Sequence, residues 1–387
     1  MTLTFLPSLE HLAAVRVALI IYNDDIIHLF DEWLMVHKVD RNTAFNMRTK
    51  QERWMQEVEE KARNILSELL PKPVINQIAY IFQPLVDEIY FWVRDHIVIV
   101  KHIEKSHNAN TLHWTSEGTI DRAKMAKQLI RNENIEKRVR FAMACIYFRE
   151  NDVLNLWQSM TAVERQGIFQ TESNIAVLFW MRWLRENGAS PWTQCVKKYL
   201  DSDFNKTMII YDTEHKIGRV RLSSFFNELN TFCKKYFFLC YWPDYVHFDD
   251  IRLCYRLVDE DIRAEIFHSH SKTGDVLSCY LDWPLQTLFL DTINKMKSYL
   301  KSHCFRHYLH YIIYYKLLRG KQDFDYLQLL RDLWDRIPDE DKEKIRKKSC
   351  FIFLYAAMSY DEKTYPLPIE EFLMKCYNFV ADVEAKS

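Results

Sequence analysis

Residues 156–168 read LWQSMTAVERQGI and residues 333–345 read LWDRIPDEDKEKI. Both open on Leu-Trp (Leu156-Trp157, Leu333-Trp334), carry an apolar residue three positions after the Trp (Met160, Ile337) and place an Ile eleven positions after it (Ile168, Ile345). A charged stretch lies between. Each copy also follows an apolar run and a polar break: RFAMACIYF (140–148) then REND, and YIIYYKLL (311–318) then RGKQD. A weaker third copy lies near the start, where VRVALIIYNDDIIHLF (15–30) parallels VRFAMACIYFRENDVLNLW (139–157). A recurring two-helix unit buries against its neighbours a face it cannot bury alone. The expected fold class is therefore all-α: packed helical hairpins, solenoid-like, resembling degenerate ankyrin-type repeats. Such an architecture presents a surface more readily than it runs a reaction.

Composition narrows the remaining classes. The 387 residues are 48% hydrophobic and 27% charged, close to ordinary globular usage, which argues against disorder. Aromatic residues reach 14%, ample material for a core. Glycine is the outlier: six residues stand where average usage would give about 27. No G-x-G-x-x-G and no G-x-x-x-x-G-K-[ST] occurs, so dinucleotide and P-loop chemistry are excluded. The net charge is −1, and the basic cluster Lys342, Lys344, Arg346, Lys347 and Lys348 is interleaved with Asp339, Glu340, Asp341 and Glu343. That pattern reads as a solvated helix face, and no nucleic-acid partner is expected. Nine scattered cysteines without C-x-x-C point to a reducing compartment, and a cytoplasmic location is expected. Glu10 and Arg16 interrupt the first apolar run, against a signal peptide. The most apolar window, 78–100, contains Pro84, Asp87, Glu88, Arg94 and Asp95 and reads as a buried helix pair, so no membrane partner is expected.

Along the chain, helices are expected at 9–22, from Asp24 to His37, and over 41–69, with Pro84 kinking or splitting the run that ends near Lys105. Residues 106–118 read as a linker or long loop, followed by a helix from Thr119 to about Asn132. Thr161 and Glu164 have capping-box spacing. Gly188 closes one helix, and Ser190-Pro191 starts another. Met208–Tyr211 and Arg219–Leu222 flank a polar turn, so a small β-hairpin insertion near 207–222 competes with an irregular loop. Three regions follow from these breaks: an N-terminal helical region at 1–107, helical-hairpin repeats at 119–202, and further hairpin repeats at 223–387.

Candidate chemistry is sparse. His303, Cys304, His307 and His310 offer the best metal set, since on a helix the three imidazoles share a face. Fourteen histidines in 387 positions also cluster by chance, so a partly exposed polar face is the expected reading, with neither metal nor cofactor. His268-x-His270, near Glu265, reads the same way. Ser269-x-x-Lys272 overlaps Lys272-Thr-Gly274, and in β-lactamase-type enzymes those motifs come from separate elements, so the match is spurious. The carboxylate pairs Asp24-Asp25, Asp249-Asp250 and Glu370-Glu371 fit first turns of helices, where the macrodipole favours them. Trp180 and Trp183, one turn apart, read as packing between hairpins.

One block is similar to a set of uncharacterised spider proteins, in which W-x-x-[DE]-G-x-I-D-R precedes an apolar A-C-x-Y run and an acidic pair ahead of Leu-Trp. The matching positions are Trp114, Glu117, Gly118, Ile120, Asp121, Arg122, Ala144, Cys145, Tyr147, Asn151, Asp152, Leu156 and Trp157. The hairpins also resemble ankyrin-type units, without their T-P-L-H tetrapeptide. The resemblance implies no activity. The functional expectation is a non-enzymatic adaptor whose helical-repeat surface meets protein partners. The alternative is a metal-dependent enzyme using the His303/Cys304/His307/His310 cluster.

Overall fold

The computed structural model describes residues 7–21, 57–96, 112–171, 174–186, 188, 190–196, 219–240, 246–247, 249–259, 261–262, 265, 273–348, 350–361 and 367–384. The fold is all-α. Among the described residues there is no sheet, and the isolated bridges Trp114–Ile120 and Val220–Val246 are the nearest approach to one. Two compact units form: Met1–Ala14, Glu59–Pro84 and Ala264–Ser387 make one, Val15–Val58 and Leu85–Arg263 the other. These units cut the chain differently from the three consecutive regions 1–107, 119–202 and 223–387, because each is assembled from separated segments.

Helix α1 spans Leu9–Ile21 and α2 spans Lys72–Asp95. Pro84 lies inside α2, so of the two expected outcomes, a kink or a split, the split does not occur. The Leu85–Arg263 unit continues with α3 (Arg122–Arg131), α4 (Lys137–Ile146), α5 (Glu150–Ser159), α6 (Ala162–Thr171), α7 (Ile175–Arg185), α8 (Thr231–Cys240) and α9 (Asp250–Leu257). The Ala264–Ser387 unit holds α10 (Thr273–Ser278), α11 (Phe289–Met296), α12 (Ser302–Tyr311), α13 (Tyr326–Arg336), α14 (Asp339–Arg346), α15 (Cys350–Met358) and α16 (Ile369–Glu384).

The two Leu-Trp segments share a local order: a helix carrying Leu-Trp is followed, after a short break, by a second helix. Helix α4 is buried from Phe141 to Ile146 and packs against α3, α5, α6 and α7; a helix apolar all round has no face to give to water. Helix α12 buries Phe305, Tyr308 and Leu309 and continues as a π turn over Ile312–Lys316. Leu156, Met160 and Ile168 are buried, as are Leu333, Ile337 and Ile345. The charged stretch sets a cation against the Trp ring in both copies. Arg165 lies 4.6 Å from the Trp157 ring and Lys342 lies 5.6 Å from the Trp334 ring, each cation eight residues after its Trp. Thr161 opens α6 as a capping box, its amide donating to Glu164 at 2.7 Å and its hydroxyl accepting from the Glu164 amide at 3.3 Å.

The copies differ at the tryptophans. Trp334 is buried, whereas Trp157 keeps part of its surface in water. Phe351 packs on Trp334 at 6.0 Å, and the residue at the same offset from Trp157 is Asn174, which turns to cap α7. Of the third copy only 15–21 falls within the described residues; its remainder, the helix from Asp24 to His37 and residues 41–56 fall outside them. The proposed strand Met208–Tyr211 also lies outside. Its partner does not form a hairpin strand: Val220 makes a single parallel bridge to Val246, and Leu222–Ser224 turn as a 3-10 helix.

Between α4 and α5 the chain turns through Phe148 at φ 49°, a left-handed conformation unfavourable to a residue with a Cβ. The Phe148 ring is held by Phe225 at 3.9 Å, Trp192 at 5.4 Å and Phe179 at 5.5 Å, and that packing offsets the strain. Two substitutions separate the terms. Phe148→Ala loses the ring and keeps the strain, whereas Phe148→Gly loses the ring and relieves it. The Gly protein should therefore be the more stable of the two by about 1 kcal/mol, measured by urea unfolding. The reverse order would show that the turn is unstrained.

Candidate functional site

The motif block at 114–122 folds into a tight turn. Trp114 bridges Ile120, the Thr115 amide donates to the Thr119 carbonyl at 2.8 Å, and Gly118 takes φ 83°. The Asp121 side chain then caps α3 by accepting from the Lys124 amide at 2.9 Å. The first helical residue, Arg122, is thereby aimed inward and is wholly buried. Its guanidinium pairs with Asp95, the last residue of α2, and lies 3.1 Å from Asp249.

Two extended stretches complete the cluster. The Val220–Val246 bridge aligns 219–221 with 246–247, and the His247 amide donates to the Val220 carbonyl at 3.0 Å. Extended residues two apart share a face, which sets Arg219 beside Arg221. Arg219 reaches Asp95 at 3.4 Å; Arg221 grips both oxygens of Asp249, one of them at 3.0 Å, and reaches Asp250 at 3.4 Å. Asp250 accepts the Leu222 amide at 2.6 Å and the Ser223 amide at 3.2 Å. Asp249-Asp250 thus stand at the start of α9, as their sequence position implied, but face a guanidinium cluster as well as the helix. Glu88 of α2 accepts the Ile120 amide at 3.3 Å, binding the motif turn to the same hub.

Two imidazoles lie within this ionic group, their rings 4.8 Å apart. His96 bonds the Trp92 carbonyl at 2.7 Å through Nδ1 and the Tyr147 hydroxyl at 3.1 Å through Nε2. A carbonyl only accepts, so Nδ1 carries the proton and Tyr147 donates to Nε2. Burial, with Arg122 and Arg221 adding to it, lowers the His96 pKa to about 3. Burial likewise drives His247 well below its ordinary value, assisted by His96 and the three arginines. Both rings are neutral at physiological pH. Burial raises the Tyr147 pKa, and raises Asp250 to about 6 against the opposing pull of Arg221. Burial alone would lower Arg122, but Asp249 and Asp95 more than offset it and hold the guanidinium charged.

The ligand atoms of Asp95, His247 and Asp249 all lie within 4.8 Å of one another, and this is the one such His/Cys/Asp/Glu group among the described residues. His303, Cys304, His307 and His310 are therefore not brought together as a ligand set. His303 Nε2 lies 3.4 Å from Cys304 Sγ, His307 sits against Tyr308 and Tyr311, and His310 stacks on Tyr314 at 4.2 Å. His268, His270 and Lys272 lie outside the described residues. Trp180 and Trp183 pack edge to face at 5.4 Å inside the aromatic core.

An open cavity of about 350 Å³ adjoins Tyr147, lined also by Phe148, Arg149, Glu150, Asp152 and Ser224. Arg149 is paired with Asp152, and Glu150 accepts from Trp192 Nε1 at 3.1 Å, so its charged groups are engaged with protein. Sequence reasoning placed Arg122 and Tyr147 in a resemblance block and Asp249-Asp250 at a helix start, but missed Asp95, His96, Arg219, Arg221 and His247. The available signal was an excess of charge, with Glu88, Arg94 and Asp95, inside the apolar window 78–100. Comparison with protein-family models, curated proteins and solved structures gives no match, so the reading of this site rests on its geometry.

Proposed function

We propose that this chain is a non-enzymatic protein-interaction module, with protein as its partner class. One observation carries the reading. On α16, Leu373, Met374 and Tyr377 are 45%, 62% and 79% exposed and fall within about 100° of one another around the helix axis. A grouped apolar surface of this kind marks an interaction site more often than isolated exposed residues do. Tyr355, on the adjoining α15, is exposed as well. The ionic cluster supports the same reading, because its charges are paired with one another within the protein. The adjacent cavity, with its charged groups paired to protein, adds no acid–base pair. Among the described residues no helix is long and apolar enough to cross a membrane.

The test is a photo-crosslinking residue placed at 377 in the full-length chain within its native cells. A discrete adduct is expected, reduced at least about tenfold by Leu373→Asp with Met374→Asp while the circular dichroism stays helical; a loss of about 1.4 kcal/mol in binding suffices for that factor. Equal adduct yield from the altered and unaltered surfaces would refute the proposal.

A further inference from the structure

We infer that Asp95, His247 and Asp249 form a structural site for a divalent transition-metal ion of the zinc class. His247 is 0% exposed, and neither ring nitrogen has a hydrogen-bond partner. A buried imidazole normally bonds through both nitrogens, as its neighbour His96 does here. His247 instead places a nitrogen within 4.8 Å of the Asp95 and Asp249 carboxylate oxygens. A cation seated among the three gives that nitrogen the partner it lacks.

Ligand chemistry selects the ion. One imidazole with two carboxylates suits zinc and its first-row neighbours, whereas calcium and magnesium prefer an all-oxygen shell. Zinc–ligand distances of about 2.0–2.2 Å require the three side chains to draw in by up to roughly 0.7 Å each. Arg122, Arg219 and Arg221 weaken the pull on a cation, and Arg122 contacts both carboxylates. Ligating carboxylates are commonly held by hydrogen-bond donors of this kind, and the guanidiniums would orient Asp95 and Asp249 in that manner. Charge does not choose between states. Glu88, Asp95, Asp249 and Asp250 against three arginines leave a formal −1, and a divalent ion makes it +1. Coordination of His247 does choose. Asp95 and His247 are wholly buried and Asp249 nearly so, which suits a structural centre linking the end of α2 to the start of α9, with water as the fourth ligand.

The test uses the untagged full-length chain prepared with zinc in the growth medium and no chelator. Elemental analysis should return about one zinc per chain, and X-ray absorption should show an oxygen-rich shell with one imidazole and no sulfur. Removing the ion with dipicolinate should lower the Tm by about 3 °C relative to protein in a hundredfold excess of Zn²⁺ over its Kd. His247→Ala should lose the zinc and His307→Ala should keep it. Less than about a tenth of an equivalent of metal would overturn the site. A sulfur neighbour, two or three imidazoles, or loss of zinc in His307→Ala would move the ion to α12 and overturn it equally. The absorption spectrum of the unaltered chain decides the matter even if His247→Ala fails to fold.

Discussion

Replacing Arg122 by Ala is expected to destabilise the metal-free protein by about 3–5 kcal/mol, read from urea unfolding. The magnitude follows from what stays behind. Arg122 meets both Asp95 and Asp249 at a site where Asp95 is wholly buried. Without it, Asp95 keeps Arg219, at 3.4 Å, as its guanidinium partner. A buried carboxylate that loses its main counter-charge must gain a proton or admit water, and both oppose folding. Arg122→Lys should fall between the two, because a point charge cannot serve two carboxylates as a planar fork does. Arg122→Met combined with Asp95→Leu should cost less than the two single changes added, since removing both charges leaves neither stranded. A loss under about 1 kcal/mol for Arg122→Ala would mean that water reaches and screens the cluster.

Trp334→Ala should cost about 3–5 kcal/mol, the usual range for a buried large aromatic, and Trp157→Ala distinctly less. Each tryptophan carries a cation eight residues on, Arg165 against Trp157 and Lys342 against Trp334. They differ in exposure: Trp334 is buried, whereas Trp157, with Phe141 at 5.7 Å, keeps part of its surface in water. The difference in stability between the two Ala variants therefore measures burial with the local motif held constant. Equal losses would show that the cation and the helix contacts, not burial, determine the contribution of the Trp.

The amino-acid sequence by itself determined the helical class and many boundaries, because these depend on local periodicity and caps. The apolar run 140–148 became the buried end of α4, the run 311–318 became a π turn and a 3-10 turn with Tyr315 exposed, and Thr161-x-x-Glu164 became a capping box. The resemblance block was legible as a string, and Gly118, Asp121 and Arg122 each serve one turn within it. What the turn is for was not legible. Arg122 meets Asp95 across 27 positions, and Arg219 meets Asp95 across 124. Charges so far apart in the chain read singly as solvated residues, and only tertiary burial converts them into a cluster whose members depend on one another. Histidines followed the same logic in reverse. His303, His307 and His310 looked like a set because helical spacing is visible in sequence, yet His307 and His310 turn to different aromatic neighbours and His303 to Cys304. His247 stands two residues before Asp249, but Asp95, far earlier in the chain, reaches it only through tertiary packing around the 219–221 and 246–247 pairing. Proximity in sequence selects residues that share a helix face, but convergence on one point in space is set by how separate elements pack.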